Sequence, residues 1–276
     1  MATFRTANYN IRDGSVNRTI FVRWYEISSR DLDIRRLTRT NGQLDRPGVN
    51  ASFFNPGNSR MTSIHWFNRN AVHTGGDTNL ADAGNTDTSM SCMFFPINPA
   101  TVLFKNRATG INNLGIDRSN IQWAIGGFSL LLNETHSGLD SMIRRYEDFY
   151  SGMNVGTWMP GLRVRRARTF IGDDGRGNLR FGVMSTNITS ASPGTIADDF
   201  NDTSLATGLG ATYFDMYSVL RDRLNCTRGL ALDGGGSTRI RRISPLNTSS
   251  AIQYSAQRDQ NRNVLCQLSF SGAQSN

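Results

Sequence analysis

Apolar and polar residues alternate in short runs along most of the chain, which is the pattern of half-buried β-strands. Strands are predicted at Ile20–Trp24, Leu32–Leu37 and Gly48–Phe54, with the first two paired across the polar turn "SSRD". The clearest hairpin joins Arg168–Ile171 to Leu179–Met184 through an Asp-Gly turn. The chain is therefore expected to be rich in strands.

Two segments instead have the period of amphipathic helices, with apolar residues recurring every three or four positions. In Thr212–Leu224 the apolar side chains share one face, and Thr212 with Asp215 has the spacing of a capping box. The other segment carries an apolar stripe that we interpret as core, because a cofactor or partner surface is much rarer for such a pattern. The stripe consists of Leu139, Met142, Ile143, Tyr146 and Phe149. We predict one mixed α+β domain over residues 1–276, with a strand-rich core and a few packed helices.

Two long polar stretches, Thr74–Ser91 and Thr186–Gly210, interrupt the predicted elements. Loops of this length inside a compact domain are commonly functional or mobile. We therefore expect both at the surface, as candidate rims of a binding site.

Composition places the chain among globular proteins, since 38% of its 276 residues are hydrophobic, enough for a sizeable core. No apolar segment follows Met1, and the longest uncharged, mostly apolar run, Ile121–Leu132, is far shorter than the roughly 20 residues of a membrane-spanning helix. These features predict a soluble protein with no membrane partner. Residence in the cytoplasm is the default expectation, and release by lysis or incorporation in a phage particle fits the same sequence.

The three cysteines, Cys92, Cys226 and Cys266, are odd in number and widely spaced, and they match no metal-binding motif. Neither a disulfide framework nor a zinc site is indicated. We expect reduced, buried thiols.

The positive charge of the chain comes almost entirely from arginine. The net charge is +8, and Lys105 is the only lysine, so 29 of the 30 basic residues are arginines. Guanidinium groups suit two-point hydrogen bonding of phosphates and carboxylates, which favours an anionic ligand; codon bias on a solvated surface is the alternative explanation. Two arginine runs fall partly on one strand face, where they would bind a polyanion or, by default, face solvent. The runs are Arg163, Arg165, Arg166 and Arg239, Arg241, Arg242.

The stretch with the most specific chemistry is "ALDGGGSTRI", which follows the predicted helix Thr212–Leu224 and an apolar strand. Asp233 then lies at the end of that strand, where α/β proteins tend to bind ligands. Gly234, Gly235 and Gly236 allow a ligand close to the backbone, with successive N–H groups turned toward an anion. The lysine of a nucleotide P-loop is missing. A phosphate-binding loop is predicted, and a tight strand-to-strand turn is the alternative.

This stretch resembles the hallmark of the phosphodiester glycosidase family, and other segments are similar to family motifs in the same order. The similarity covers most of the chain from about Val22 to Ile240. The matching segments are "GVNASFFNP" at 48–56, "AVHTGG" at 71–76, "AIGGFSLLL" at 124–132, "RARTFIGDDGRGNLRF" at 166–181 and "YFDMYSVLRDRL" at 213–224. The resemblance implies a hydrolase that cleaves a sugar-1-phosphodiester, or a related sugar-phosphate or nucleotide-sugar linkage, at the anomeric carbon.

Such a reaction passes through an oxocarbenium-like transition state and needs a carboxylate near the anomeric carbon, with hydrogen-bond donors on the phosphate. Asp233 is the expected catalytic carboxylate, with capping of the glycine turn as its alternative role. Asp215 stands where the family's helix has a glutamate and is the second catalytic candidate, or else a helix cap. Three of the binding candidates have a structural role as the alternative. Asn50 would be a turn former, His73 an isolated structural histidine and Arg168 an outward-facing strand residue. The candidates for binding sugar or phosphate are Asn50, His73, Arg168, Gly234, Gly235, Gly236, Ser237 and Thr238.

No cofactor is clearly indicated, and a divalent metal stays an open alternative. The turn "DDGRGN" has oxygen ligands at alternate positions, but it lacks the length and the distal glutamate of a calcium loop, so a hairpin turn is favoured. The competing function is a non-catalytic binding or particle-structural protein that holds an anionic glycan or nucleic acid on its arginines. A sugar-phosphate or glycan partner is favoured over nucleic acid, and the oligomeric state is open.

Overall fold

The computed structural model describes residues 1–37, 43–51, 53–55, 59–79, 90–149, 163–189, 194–198, 208–243, 251–256 and 264–275. In these ranges the strands form two mixed sheets and a short ribbon. The large sheet contains β1 (Ala2–Asp13), β2 (Val16–Ser28), β7 (His65–Phe67), β8 (Asn70–Ala71), β9 (Ser91–Pro96), β10 (Leu103–Lys105), β11 (Ile121–Ser129), β12 (Arg168–Asp173), β13 (Asn178–Ser185), β15 (Arg228–Ala231) and β19 (Gln274–Ser275). The small sheet contains β3 (Leu32–Arg36), β4 (Gly48–Asn50), β14 (Gly194–Ile196), β16 (Arg239–Ile243), β17 (Ala251–Ala256) and β18 (Cys266–Phe270). The ribbon pairs β5 (Phe54–Asn55) with β6 (Arg60–Met61).

Hydrogen bonds set the order of the strands within each sheet. The large sheet runs β10-β9-β11-β15-β12-β13-β2-β1-β19, and β7 with β8 branches from β11. The small sheet runs β14-β17-β16-β4-β18-β3. The pairs β1–β19 and β14–β17 are parallel, and the other strand pairs in the described ranges are antiparallel, for example β12–β13. The strand-rich mixed architecture expected from the alternating pattern is therefore confirmed.

The central strands of the large sheet are buried on both faces, which explains why their apolar runs are nearly continuous. Along β2, Tyr25 and Ile27 join the core shared with the small sheet, whereas Val22 and Trp24 pack with the helices. Successive side chains of a strand point to opposite faces, so this division follows from the pleat. The molecule has three layers: the small sheet, the large sheet and the helices.

Within the described ranges, two α-helices form the third layer. They are α1 (Leu139–Phe149) and α2 (Tyr213–Ser218), which continues into a π-helical turn at Val219–Arg223. Short 3-10 helices lie at Ser29–Asp31, Ile111–Asn113, Arg118–Asn120 and Gly235–Ser237. In the ranges given above, none of the helices has the length and apolar character needed to cross a membrane.

Both helix predictions are confirmed. The stripe of α1 is buried at Leu139, Met142, Ile143 and Tyr146, and the side chain of Phe149 lies outside the described residues. At the start of α2 the Thr212 hydroxyl accepts from the Asp215 N–H, and the Asp215 carboxylate accepts from the Thr212 N–H, which is the predicted capping box.

The hairpin of β12 and β13 is also confirmed, with Arg168 opposite Met184. Its turn is closed by Asp174, whose Oδ1 accepts from the N–H groups of Arg176 at 2.8 Å and Asn178 at 3.1 Å. The favoured interpretation of this segment as a turn therefore agrees with its hydrogen bonds.

Two other predictions need correction. β2 and β3 do not pair: the turn at Ser29–Asp31 carries the chain to the other sheet, where β3 pairs with β18. Much of the two predicted long loops lies outside the described residues, but Gly194–Ile196 within the second is a strand.

The cysteines are free and buried, as predicted. Burial raises the pKa of Cys226 and of Cys266 to about 12, so both thiols stay protonated and unreactive at neutral pH.

Candidate functional site

The glycine stretch carries the chain from the large sheet to the small one. β15 ends at Ala231 and β16 begins at Arg239, and the two strands belong to different sheets. We call residues 232–238 the glycine loop. Gly235 within it has a φ of +59°, a conformation that favours glycine. The loop is thus an inter-sheet crossing rather than a hairpin turn.

Asn50 holds the two ends of the glycine loop together from β4. Its Nδ2 donates to the Asp233 carbonyl at 2.8 Å, and its Oδ1 accepts from the Arg239 N–H at 2.9 Å. The same Oδ1 accepts from the Thr169 hydroxyl of β12 at 2.8 Å. Asn50 is fully buried, so its amide positions the loop from behind. The predicted contact of Asn50 with a ligand stays a prediction.

Most of the loop N–H groups in the structure donate to backbone carbonyls. Gly235 donates to Ala167 at 2.7 Å, Ser237 to Gly234 at 3.3 Å and Thr238 to Gly235 at 3.0 Å. The expected row of successive N–H groups turned toward an anion is therefore not formed by these three. The bonds shape the loop instead, so phosphate binding there depends more on side chains.

Side chains of the loop differ in exposure. Ser237 and Thr238 are buried, and the Thr238 hydroxyl has no hydrogen-bond partner among the described residues. Asp233 is half-buried at the start of the loop. Its negative charge acts to raise the pKa of the Tyr213 phenol.

Arg168 lies behind the loop, fully packed. Its Nε donates to the Ala211 carbonyl at 2.9 Å and its Nη2 to the Val164 carbonyl at 2.8 Å. The guanidinium carbon lies 4.6 Å from the ring centre of Tyr213. Burial lowers the pKa of Arg168, although the nearby charges of Tyr213 and Asp198 oppose this effect. Arg168 thus points inward and supplies positive charge to the site from within.

The start of α2 joins this cluster through Tyr213. Burial raises the pKa of the Tyr213 phenol, Arg168 lowers it and Asp233 raises it. The phenol therefore stays protonated at neutral pH and remains a hydrogen-bond donor.

Asp198 and Arg166 are further candidate site residues, which the sequence did not reveal as a pair. Asp198 is buried, and its Oδ1 accepts from the Ala167 N–H at 2.9 Å, while the Ala167 carbonyl accepts from Gly235. A Cβ placed on Gly235 would lie 3.9 Å from Cδ of Arg166 and 4.0 Å from Oδ2 of Asp198. A carboxylate and a half-buried arginine therefore flank the central glycine. Asp198 had no motif to mark it, since its contacts come from the fold alone.

Asp215, the second predicted catalyst, lies under α2. Its Oδ2 accepts from the Thr212 N–H and hydroxyl at 2.7 and 2.9 Å, and its Oδ1 accepts from Arg18 Nη2 at 2.9 Å and Nε at 3.2 Å. The carboxylate is fully buried. These contacts favour the capping role, and catalysis by Asp215 stays an untested prediction.

The described contacts of His73 are not with the glycine loop. Its carbonyl accepts from the Gly76 N–H at 2.9 Å. Burial lowers the pKa of its imidazole, and the charge of Arg36 on β3 lowers it further, against a hydrogen bond at Thr74. β3 is the far edge of the small sheet, three strands from β16. The predicted ligand role of His73 is not supported by these neighbours.

The two arginine runs are solvated only in part, with Arg163 exposed. Arg165 and Arg239 are buried, and Arg165 donates from Nη1 to the Gly208 carbonyl at 2.9 Å. Arg241 is half-buried and donates to the Leu44 carbonyl. The default expectation of outward-facing arginines is therefore wrong for these positions, because backbone carbonyls bind them inside the fold.

Two further features bear on ligands. Among the residues with described placement, no group of three or more His, Cys, Asp or Glu side chains could hold a metal ion. A pocket of about 310 Å³ lies at the opposite end of β15 from Asp233, lined by Phe104, Asn106, Ser129, Leu132, Asn133, Thr227, Arg228 and Gly229. None of the predicted site residues lines that pocket.

Comparison with known proteins supports the fold. No family model and no curated protein matches the chain. Among solved structures, the zebrafish N-acetylglucosamine-1-phosphodiester alpha-N-acetylglucosaminidase catalytic domain, auto-inhibited by its pro-peptide, is similar with a TM-score of 0.59 and 13% identity, over 99% of this chain and 84% of that one. A hypothetical protein from Synechocystis has a TM-score of 0.51 and 12% identity, over 97% of this chain and 62% of that one. The chain thus has a fold similar to that of a phosphodiester glycosidase catalytic domain.

Proposed function

We propose that the chain is a hydrolase that cleaves a sugar–phosphate linkage at the anomeric carbon, with its active site at the glycine loop. One observation carries the proposal: Asp198 and Arg166 flank Gly235, and Asp233 stands half-buried at the start of the same loop. Two carboxylates beside arginines are what cleavage of a sugar next to a phosphate requires. The structural likeness to a phosphodiester glycosidase domain is consistent with this chemistry.

In this proposal Asp233 faces the anomeric carbon and stabilises the positive charge that develops there. Water attacks the anomeric carbon as the bond to the phosphate oxygen breaks, and the phosphate leaves with the bonding electron pair. Asp198 accepts the proton from the attacking water. Phosphate is a good leaving group, so little is demanded of a general acid.

Arg166 is the arginine best placed to bind the phosphate directly, because it is half-buried beside Gly235. Arg168 acts from behind, since its Nε and Nη2 already donate to carbonyls. Its charge still favours an anion at the loop, because solvent screens a buried charge only weakly.

The test follows release of free sugar from a panel of sugar-1-phosphodiesters and nucleotide sugars, with and without a chelator. D233N is expected to lower kcat by at least about 100-fold, as loss of a positioned carboxylate does. D198N is expected to lower it by about tenfold or more, while Asn Oδ1 still accepts from Ala167. D222N changes an exposed aspartate near α2 and is the matched control.

Full turnover by D233N on every substrate that wild type cleaves would overturn the mechanism. The chelator arm shows whether a divalent metal takes part. The competing binding function would be favoured by ligand affinity that falls steeply with salt and is unchanged in D233N. The net charge of +8 is the observation behind that second candidate.

A further inference from the structure

Two arginines from different sheets approach the same tyrosine. Arg23 extends from β2 of the large sheet, and Arg242 from β16 of the small sheet. The guanidinium carbon of Arg23 lies 3.9 Å from the ring centre of Tyr254 on β17. That of Arg242 lies 6.0 Å from the same ring centre and 5.1 Å from that of Phe4. The packing of the two sheets thus brings two positive charges to one aromatic side chain.

These charges have no carboxylate partner among the described residues. Arg23 donates from Nη2 to the carbonyls of Ile188 at 3.3 Å and Thr189 at 3.0 Å. The buried Nε of Arg242 has no hydrogen-bond partner in the described part of the chain. The segments that follow Thr189 and Ile243 in sequence, residues 190–193 and 244–250, contain no Asp or Glu. In the described part of the chain, this pair is therefore compensated by neutral groups alone, namely backbone carbonyls and the Tyr254 side chain.

The pair is electrostatically unfavourable without an anion. Burial lowers the pKa of Arg23, and the charge of Arg242 lowers it too, against an opposing effect of Tyr254. Two like charges in a partly desolvated place repel each other more strongly than in water. A bound anion would remove that repulsion.

The Tyr254 hydroxyl supplies a third donor. Tyr254 is fully buried; Arg23 interacts with its hydroxyl oxygen, but no described residue accepts the hydroxyl proton. The ring packs closely against β14 at Gly194, where a Cβ would collide with ring carbons. Arg23 stacks on the ring as well, so the ring has little freedom. A buried hydroxyl proton without an acceptor costs free energy, which a ligand oxygen would recover.

We propose that Arg23, Arg242 and Tyr254 form a binding site for one small tetrahedral oxyanion, either a free phosphate or sulfate ion or the phosphate group of a small molecule. Two guanidinium groups offer forked donors that match such oxygens. The donors lie between the sheets rather than along an outer face, so the site takes a single anionic group and not a polymer. The site does not depend on chemistry at the glycine loop.

The probe is inorganic phosphate, with sulfate and glucose 6-phosphate as further arms and chloride at matched ionic strength as the reference. Calorimetric titration and the shift in Tm measure binding, since a ligand of the folded state raises Tm. R242Q is expected to raise the Kd for phosphate at least about tenfold, and Y254F about threefold. R12Q removes the same charge from an exposed position and leaves the Kd unchanged.

A second arm separates this site from phosphate binding at the glycine loop. R166Q alters the loop and is expected to retain the site at Arg23 and Arg242. A Tm shift with phosphate that is equal in wild type, R242Q and Y254F would overturn the proposal, as would a shift that chloride reproduces. If R242Q does not fold, Y254F alone decides, because it removes only one oxygen. Weaker binding of glucose 6-phosphate than of phosphate would assign the site to the free ion, and tighter binding to an ester.

Discussion

The glycine loop and the region under α2 both place aspartates next to arginines, yet their carboxylates are used differently. Asp215 is fully buried, and four hydrogen bonds from Thr212 and Arg18 occupy its two oxygens. Asp233 is half-buried, at the start of a loop that glycine keeps open. The contrast shows that an aspartate whose oxygens are all hydrogen-bonded within the protein stabilises the fold. An aspartate at an accessible loop can instead act on a ligand.

The region under α2 is a connected network, which we call the Arg18 network: Asp13, Arg18 and Asp215. Arg18 Nη2 also donates to Asp13 at 3.1 Å, and the other oxygen of Asp13 accepts from the Leu139 N–H at the start of α1. Burial lowers the pKa of Arg18, and the two carboxylates outweigh that effect and raise it. The network ties the first hairpin of the large sheet to both helices.

The largest effect is expected from breaking the Arg18 network. D215A leaves Arg18 buried with one carboxylate fewer and removes half of the capping box, so it should cost about 3–5 kcal/mol of unfolding free energy. Urea denaturation of D215A and the exposed control D222A measures the difference. A loss below about 1 kcal/mol would contradict the structural role. If D215N unfolds like wild type but loses turnover, Asp215 has a catalytic role, and the contrast drawn here between Asp215 and Asp233 is wrong.

A somewhat smaller loss of stability is expected at acid pH from a second buried group, the imidazole of His65. His65 is fully buried, its Nδ1 lies 2.9 Å from the Ser63 carbonyl, and burial lowers its pKa to about 4. Between pH 6.5 and 4 the unfolded chain binds a proton that the folded chain does not. Stability is therefore highest above pH 6.5 and falls by about 3 kcal/mol as the pH drops to about 4.

Urea denaturation at several pH values measures this loss, with H65Q as the comparison because glutamine does not titrate. H65Q is expected to have a shallower fall of stability over the same range. An unchanged slope would show that other groups control acid unfolding.

The smallest effect is expected from Gly235 itself. G235A places a non-glycine residue at a φ of +59°, which costs about 1 kcal/mol, and the nearest neighbours of the added methyl lie 3.9 Å away or more. Gly14 is a matched control, with a φ of +60° and nothing within 4 Å of an added Cβ. Both variants should lose the same stability. Only G235A should slow sugar release, because its methyl enters the space between Asp198 and Arg166; equal turnover would argue that the substrate binds elsewhere.

The elements that follow from local pattern were predictable. The β12–β13 hairpin has turn residues between alternating strands, and the Thr212 capping box depends on residues three positions apart. The separation of β2 and β3 into different sheets was not predictable, because alternation is the same whether a strand joins one sheet or the other. Three residues at Ser29–Asp31 decide between them, and polar turns of that length occur in both arrangements.

The candidate site was predictable in part for a related reason. Asp233 and its glycines form a continuous motif, so the position of the loop after β15 followed from the sequence. Asp198 reaches the loop through Ala167, 31 residues away in the chain. Asn50 contacts groups from the loop and from β12, which only the packed fold brings together. The sequence shows the residue types, but the hydrogen-bond partners of each site residue depend on how the two sheets pack against each other.

The parallel pair β1–β19 has a consequence for the order of folding. β1 is made well before β19, since Thr3 aligns with Ser275, 272 residues later in the chain. Synthesis proceeds at about 5–20 residues per second, so the free edge of β1 stays without this partner until well after its hairpin with β2 has formed. During that interval an unpaired strand edge is open to association with other nascent chains. The β1 edge of the large sheet is therefore a place where crowded expression is expected to produce aggregates, and slower synthesis should not relieve it.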